Sequence, residues 1–571
     1  MMKYNKINMD AFYASRWKDS NLARGAFDAR LAIAGGSGNE KDADSPAVDA
    51  GSKDFLNGGT TKTVKVSGND QPDNNAPFEL GGYDNYDPQN GNAIVAWESS
   101  SVTSGNNDDL DVGYHYGGAG YDSDGDFCII PDDYETAVTL RHPKEAVNDD
   151  MDFSTTINGN SVDFKPEITS ASGFAHQQSD IASSEYNGSD ITIACFASDE
   201  IEDTSTNLNH RALLWRRFRG GDDACGVIGN EFTTAEGGDP KIVSVAMTTG
   251  KNSSGDMDKP IYAAAAACCG DWELVEPIKE KLEIRVYRYD PSPEGWTLVG
   301  EYIKNLDSEP DVIQDIALAA DESQNEEDLI VFWTYDPKAG DNKKTTYGFR
   351  IDNAATLTSG NEVTITNPSN FVRNEDTGES IDAEWDGNIS KPRLTWTEKN
   401  LNGKYATWSA RVTFHPSTGH PNGTSNEYQI LSDSSNDSVN PRICVSEADG
   451  VYNSTTDDIA ESFVGVTCND DAIRIDLQAS SSSDNWQSPE TYKSDITDKE
   501  MDVTYRIIGD PRHLFGCSSG DLYFDNKIID NDNYMKAVKI CTNKNNRRDV
   551  YTTYHIGSSS SAKLIIRQII P

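Results

Sequence analysis

Apolar positions along this chain fall into short runs, none approaching the roughly 20 residues a membrane-crossing helix needs. Five runs read as buried strands: Ile191-Thr-Ile-Ala-Cys-Phe196, Ile261-Tyr-Ala-Ala-Ala-Ala266, Leu329-Ile-Val-Phe-Trp333, Phe463-Val-Gly-Val-Thr-Cys468 and Ala537-Val-Lys-Ile-Cys541. A polar turn follows each, and then come segments with a period of two, such as Leu282 to Tyr289, Tyr405 to Phe414 and Ala472 to Leu477. Strict alternation over that length predicts strands with one wetter face. Short fourth strands are expected at Asn230 to Phe232, Trp296 to Tyr302, Glu362 to Ile365 and Glu427 to Ile430.

Ahead of these runs one phrase recurs, a Pro, a charged residue and a β-branched one: Pro166-Glu-Ile168, Pro240-Lys-Ile242, Pro310-Asp-Val312 and Pro441-Arg-Ile443. Pro511-Arg-His-Leu514 is a looser version. Proline suits the first residue of a strand, where its missing N–H is not needed. Pro392 to Trp396 reads as a second strand whose first strand is Ser380 to Trp385, and the earliest unit starts at Pro77. First strands then begin near 77, 166, 240, 310, 380, 441 and 511, a repeat of roughly seventy residues. Seven four-stranded antiparallel units bury themselves by stacking around a channel, so the expectation is an all-β, seven-bladed β-propeller over 77–571. An array of β-sandwiches is the alternative.

Residues 1–76 read differently. Met9 to Ala34 has helical spacing and ends at Gly35-Gly36. Thr61 to Val66 is expected as the strand that closes the ring against the last blade, and the whole segment as a docking element.

Ala212-Leu-Leu-Trp-Arg-Arg-Phe218 followed by Gly229-Asn-Glu-Phe232 resembles the repeats of extracellular bacterial β-propeller proteins. Asp42-Ala-Asp-Ser-Pro-Ala-Val-Asp-Ala-Gly-Ser52, with Asp111-Val-Gly-Tyr-His-Tyr116, resembles a phrase of secreted and surface proteins that often carry β-helices. These resemblances imply an extracellular or cell-surface setting and no particular activity. Sialidases are propellers too, but Phe349-Arg350-Ile351-Asp352 lies mid-chain without their Pro, and Ser482-Ser-Asp484-Asn-Trp486 is a truncated version of their aspartate box.

Charge narrows the partners. With 49 Lys plus Arg against 94 Asp plus Glu, the formal net charge is −45. That excess repels phosphate backbones and anionic lipid surfaces, which argues against nucleic acid and membrane partners. Six Asn-x-Ser/Thr sequons, at Asn187, Asn252, Asn388, Asn422, Asn436 and Asn453, are of the kind an exported chain would carry.

Among nine cysteines, Cys444 and Cys468 have the same separation as Cys517 and Cys541 (468 − 444 = 541 − 517 = 24). Equal spacing at equivalent places predicts two disulfides, with Cys195–Cys225 as a third. Asp122-Ser-Asp124-Gly-Asp126 places three carboxylates around a glycine, a candidate calcium loop beside Asp108, Asp109 and Asp111. His115 and His555 are expected on neighbouring blades. No catalytic residue can be named: there is no Gly-x-Ser-x-Gly, His-Glu-x-x-His or phosphate loop. The functional expectation is an extracellular or cell-surface binding or structural protein, one form of which is a subunit of a surface filament or layer, meeting other subunits or surface glycans. A carbohydrate-active hydrolase is the alternative.

Overall fold

The structure, a computed structural model, describes residues 152–570 apart from several short stretches. Before 152 it describes only the course of eight short strands between Ala47 and Glu145. Two compact units divide the chain: Met1–Lys144 with two short later pieces, and Glu145–Ile507 with Pro511–Ile566. The described residues are all β, and the second unit contains a closed ring of seven blades.

The innermost strands are Ser179–Tyr186, Pro240–Thr249, Val312–Ala320, Thr377–Asp386, Ser438–Cys444, Glu500–Tyr505 and Lys536–Thr542, here blades 1 to 7. Each lies beside the next, and Lys536–Thr542 returns to lie beside Ser179–Tyr186. Within a blade the strands pair antiparallel from the channel outwards. Blade 2 illustrates the plan with Pro240–Thr249, Ile261–Asp271, Ile278–Pro291 and Glu294–Asn305. Four strands per blade holds roughly: the outer strand of blade 3 is only Ser369–Asn370, and that of blade 5 is split into Asp484–Trp486 and Glu490–Lys493.

The apolar runs are second strands because these are buried on both faces. In blade 2, Ala264, Ala266 and Cys268 pack towards blade 3, while Ala263, Ala265, Ala267 and Cys269 pack towards blade 1. In blade 3, Leu329, Val331 and Trp333 face blade 2, and Ile330 and Phe332 face blade 4. The small alanines of one strand leave room for the large side chains of its neighbours. Radial stacking thus gives one core per blade junction.

Seven blades were expected and seven are present, but not the same seven. The unit expected from Pro77 lies in the other compact unit. The inner strand of blade 1 starts at Ser179, and Pro166 makes only an isolated bridge to Ser198. The segment after Pro511, Arg512–Ser518, is the second strand of blade 6, and Ala537 to Cys541 lies in the inner strand of blade 7. Two compact blades therefore occupy the tail that was read as one. The ring closes through Lys536–Thr542, whereas Lys62–Ser67 pairs with Ala47–Asp49 and Pro77–Gly81. The helix expected over Met9 to Ala34 lies outside the described residues. No helix among the described residues is long and apolar enough to cross a membrane.

Candidate functional site

The inner strands of neighbouring blades belong to different sheets, so they share no hydrogen-bonded ladder. Their channel-side edges carry backbone N–H groups that need acceptors. Aspartates supply them. Asp180 Oδ1 accepts from its own neighbour Ile181 N at 2.9 Å, and its Oδ2 accepts from Met247 N of blade 2 at 2.6 Å. Asp382 does the same for Ala383 N at 2.9 Å and Ile443 N of blade 5 at 2.8 Å. Asp502 clasps Val503 N and Ile540 N of blade 7 at 2.9 and 3.0 Å. Asp315 holds Ile316 N at 2.9 Å and Ile381 N of blade 4 at 3.0 Å, and takes the Ser244 hydroxyl of blade 2 at 2.7 Å.

Of the other three blades, blade 2 contributes Ser244, and blades 5 and 7 place cations in the channel, Arg442 and Lys539. In five of the seven inner strands the pairing register slips just before the channel-lining residues. The slips fall between Ile242 and Ser244, Ile313 and Asp315, Thr377 and Ile381, Val439 and Arg442, and Lys536 and Lys539. Such a bulge bends a strand and re-aims the next side chain. The result is a polar cavity of about 120 Å³ lined by all seven inner strands.

Burial sets the charge state of this ring. It pushes Asp180 up from the usual carboxylate range, with Lys539 opposing, and pushes Asp382 up to about 7, with Arg442 opposing. Burial works against the charge of Arg442, but the surrounding carboxylates outweigh it and hold the guanidinium cationic.

A second cluster lies at the outer junction of blades 1 and 2. Trp215, Tyr289 and Trp296 meet edge-on or tilted, with ring centroids 5.4 to 6.0 Å apart. Arg217 Nη1 donates to Glu294 Oε1 at 2.7 Å, and the Tyr289 hydroxyl donates to the same oxygen at 2.5 Å. Burial, with Glu294 beside it, keeps that hydroxyl protonated. Glu294 is exposed, and the Trp296 indole N–H has no partner.

The predicted disulfides are not formed, and the faces of the sheets show why. Cys195 packs towards blade 2 while Cys225 packs on the opposite face of blade 1. Cys444 and Cys468 likewise belong to different blade junctions and sit at opposite ends of their strand pair, opposite Phe463 and Ser438. Cys517 and Cys541 stand in different blades, and Cys541 packs towards blade 1, away from the blade of Cys517. Thiols on opposite faces cannot approach to bonding distance without moving the backbone.

Asp122, Asp124 and Asp126 lie outside the described residues, as does the side chain of His115. Among the described residues no group of three or more His, Cys, Asp and Glu could hold a metal. His555 is buried, and burial pushes it down to about 4, so it is neutral at pH 7. Asp484, from the truncated box, is a structural anchor. Its two oxygens take Arg393 of blade 4 in a bidentate pair at 3.0 Å each, and Arg411 joins them. Burial opposes the charge, yet the two guanidiniums hold Asp484 below the usual carboxylate range.

No protein-family model matches the chain, and no curated protein matches its sequence. Similar folds occur among solved structures. The α-L-arabinofuranosidase Arb93A of Fusarium graminearum is 7% identical with a TM-score of 0.39, covering 71% of this chain and 96% of that one. The α-L-arabinanase of Penicillium chrysogenum, complexed with arabinobiose, is 8% identical with a TM-score of 0.37, covering 75% and 98%. The fucose-recognising lectin of Aleuria aurantia, a six-bladed propeller, is 13% identical with a TM-score of 0.31, covering 69% and 96%. At such identities and scores these likenesses assign no activity.

Proposed function

We propose that this chain is a carbohydrate-binding propeller that holds its ligand without turning it over. The observation that carries the reading is the cluster of Trp215, Tyr289, Trp296, Arg217 and Glu294. A sugar ring offers an apolar C–H face and hydroxyls that both donate and accept. Half-buried Trp296, backed by the buried rings of Trp215 and Tyr289, suits the first, and the adjacent Arg217 guanidinium and exposed Glu294 carboxylate suit the second. An extracellular or cell-surface setting, where glycans are met, belongs to this proposal. The filament or layer reading rests on a helix outside the described residues and is taken no further.

Titrating tryptophan fluorescence with a panel of neutral mono- and oligosaccharides tests the idea. A saturable change with at least one sugar is expected, weakened about tenfold in Glu294→Ala, the effect of losing one charged hydrogen bond. A flat response across the panel, or unchanged affinity in the variant, would sink it.

One observation favours hydrolysis instead: Asp382, raised to about 7, has the pKa of a general acid. Against it, both oxygens of Asp382 already accept backbone N–H groups. Release of reducing sugar from a polysaccharide panel, abolished in Asp382→Asn, would move the assignment to an enzyme.

A further inference from the structure

The two channel cations act on the carboxylates around them at a distance, yet make no close ion pair with them. Arg442 is only 6% exposed, its Nη1 reaches Ile381 O at a long 3.4 Å, and its Nε has no partner. Lys539 is 7% exposed, and among the described residues its ammonium has no hydrogen bond or close ion pair, although its charge bears on Asp180 and Asp382. Neither forms an ion pair with Asp180, Asp315, Asp382 or Asp502, whose oxygens are held by the N–H and hydroxyl clasps described above. A buried cation without a close partner is costly unless something else supplies one. The cavity they line, about 120 Å³, is roomy enough for several waters or a small ligand.

We propose that the channel is a binding site for a small carboxylate, held by the planar fork of the Arg442 guanidinium with the Lys539 ammonium as its second donor. Guanidinium and carboxylate match in shape and in donor and acceptor count, which selects a planar oxyanion over a spherical halide. The cavity has room for a ligand of a few heavy atoms, of the order of acetate or propionate. Burial drives Asp180 and Asp382 towards their neutral forms, which lessens the repulsion a further negative charge meets there. This site is independent of the outer aromatic cluster, so either assignment can fail without the other.

Isothermal titration of the full chain with sodium acetate, against sodium chloride at matched ionic strength, tests the proposal. Saturable heat with acetate and none with chloride is expected. In Lys539→Met the acetate affinity should fall about tenfold, as expected for one lost charged hydrogen bond. Arg442→Met should abolish binding. Should that variant not fold, Lys539→Met alone decides. No saturable heat, equal binding of chloride, or unchanged acetate affinity in Lys539→Met would each overturn the site.

Discussion

Asp382 illustrates what an aspartate does where a strand has no partner. It accepts one N–H from its own strand and one from the next blade, half-buried in the channel wall. Burial raises its pKa to about 7, against about 3.9 in an unfolded chain. The folded state therefore keeps its proton where the unfolded state has lost it. This group's contribution to stability is full below about pH 4 and is lost as pH rises towards 7. In Asp382→Asn the amide retains one acceptor and cannot titrate. The stability gap between wild type and this variant should thus narrow as pH is raised across that window, read by urea unfolding at several pH values. A constant gap would mean that Asp382 is ionised throughout. The clasping role had a trace in the chain, since Asp180-Ile-Ala182 and Asp315-Ile-Ala317 repeat one phrase at equivalent positions. Among ninety-four acidic residues it does not stand out.

At the scale of elements, visibility in the sequence followed burial. Second strands such as Ile261–Asp271 were legible because two faces buried against two neighbours demand a continuous apolar run. Third strands such as Tyr405–Phe414 were legible from alternation. The inner strand Ser179–Tyr186 was not, because a strand facing a polar channel reads Ser-Asp-Ile-Ala-Ser-Ser-Glu-Tyr and looks like a loop. Blades are joined by ion pairs as well as by cores. Asp484 on the outer strand of blade 5 holds Arg393 and Arg411 of blade 4, with Asp386 completing the set. Asp484→Ala leaves two buried guanidiniums short of charge and should destabilise by about 3–5 kcal/mol in denaturant unfolding. A loss under about 1 kcal/mol would place that network in solvent, like an ordinary surface pair.

At the scale of the whole molecule, the cysteines test whether the ring stands without covalent help. Cys195, Cys225, Cys268, Cys269, Cys444, Cys468, Cys517 and Cys541 are all free, most of them buried as small core residues. Burial pushes the thiols of Cys195 and Cys269 far above the ordinary range and that of Cys268 up to about 12, which keeps them protonated and unreactive. Alkylation after unfolding without reductant should label all eight, and reductant should leave the melting temperature unchanged. A fall in melting temperature on reduction would show a cross-link among them.

The pattern of apolar runs and alternating segments by itself determined an all-β repeat of propeller type, because buried and half-buried strands demand those patterns wherever they sit; the count of seven agreed only because a unit outside the ring offset two blades read as one. It could not say where the ring begins or closes. The strands that decide this line a channel, where the requirement is for carboxylates and cations rather than apolar side chains. Nor could equal cysteine spacing reveal that the partners point to opposite faces, since strand direction and pleat enter only when the sheets are built. The gathering of Asp180, Asp315, Asp382, Asp502, Arg442 and Lys539, spread over some 360 residues (539 − 180 = 359), is likewise a product of closure. Seven strands of separate sheets each bring one short polar stretch to a common axis.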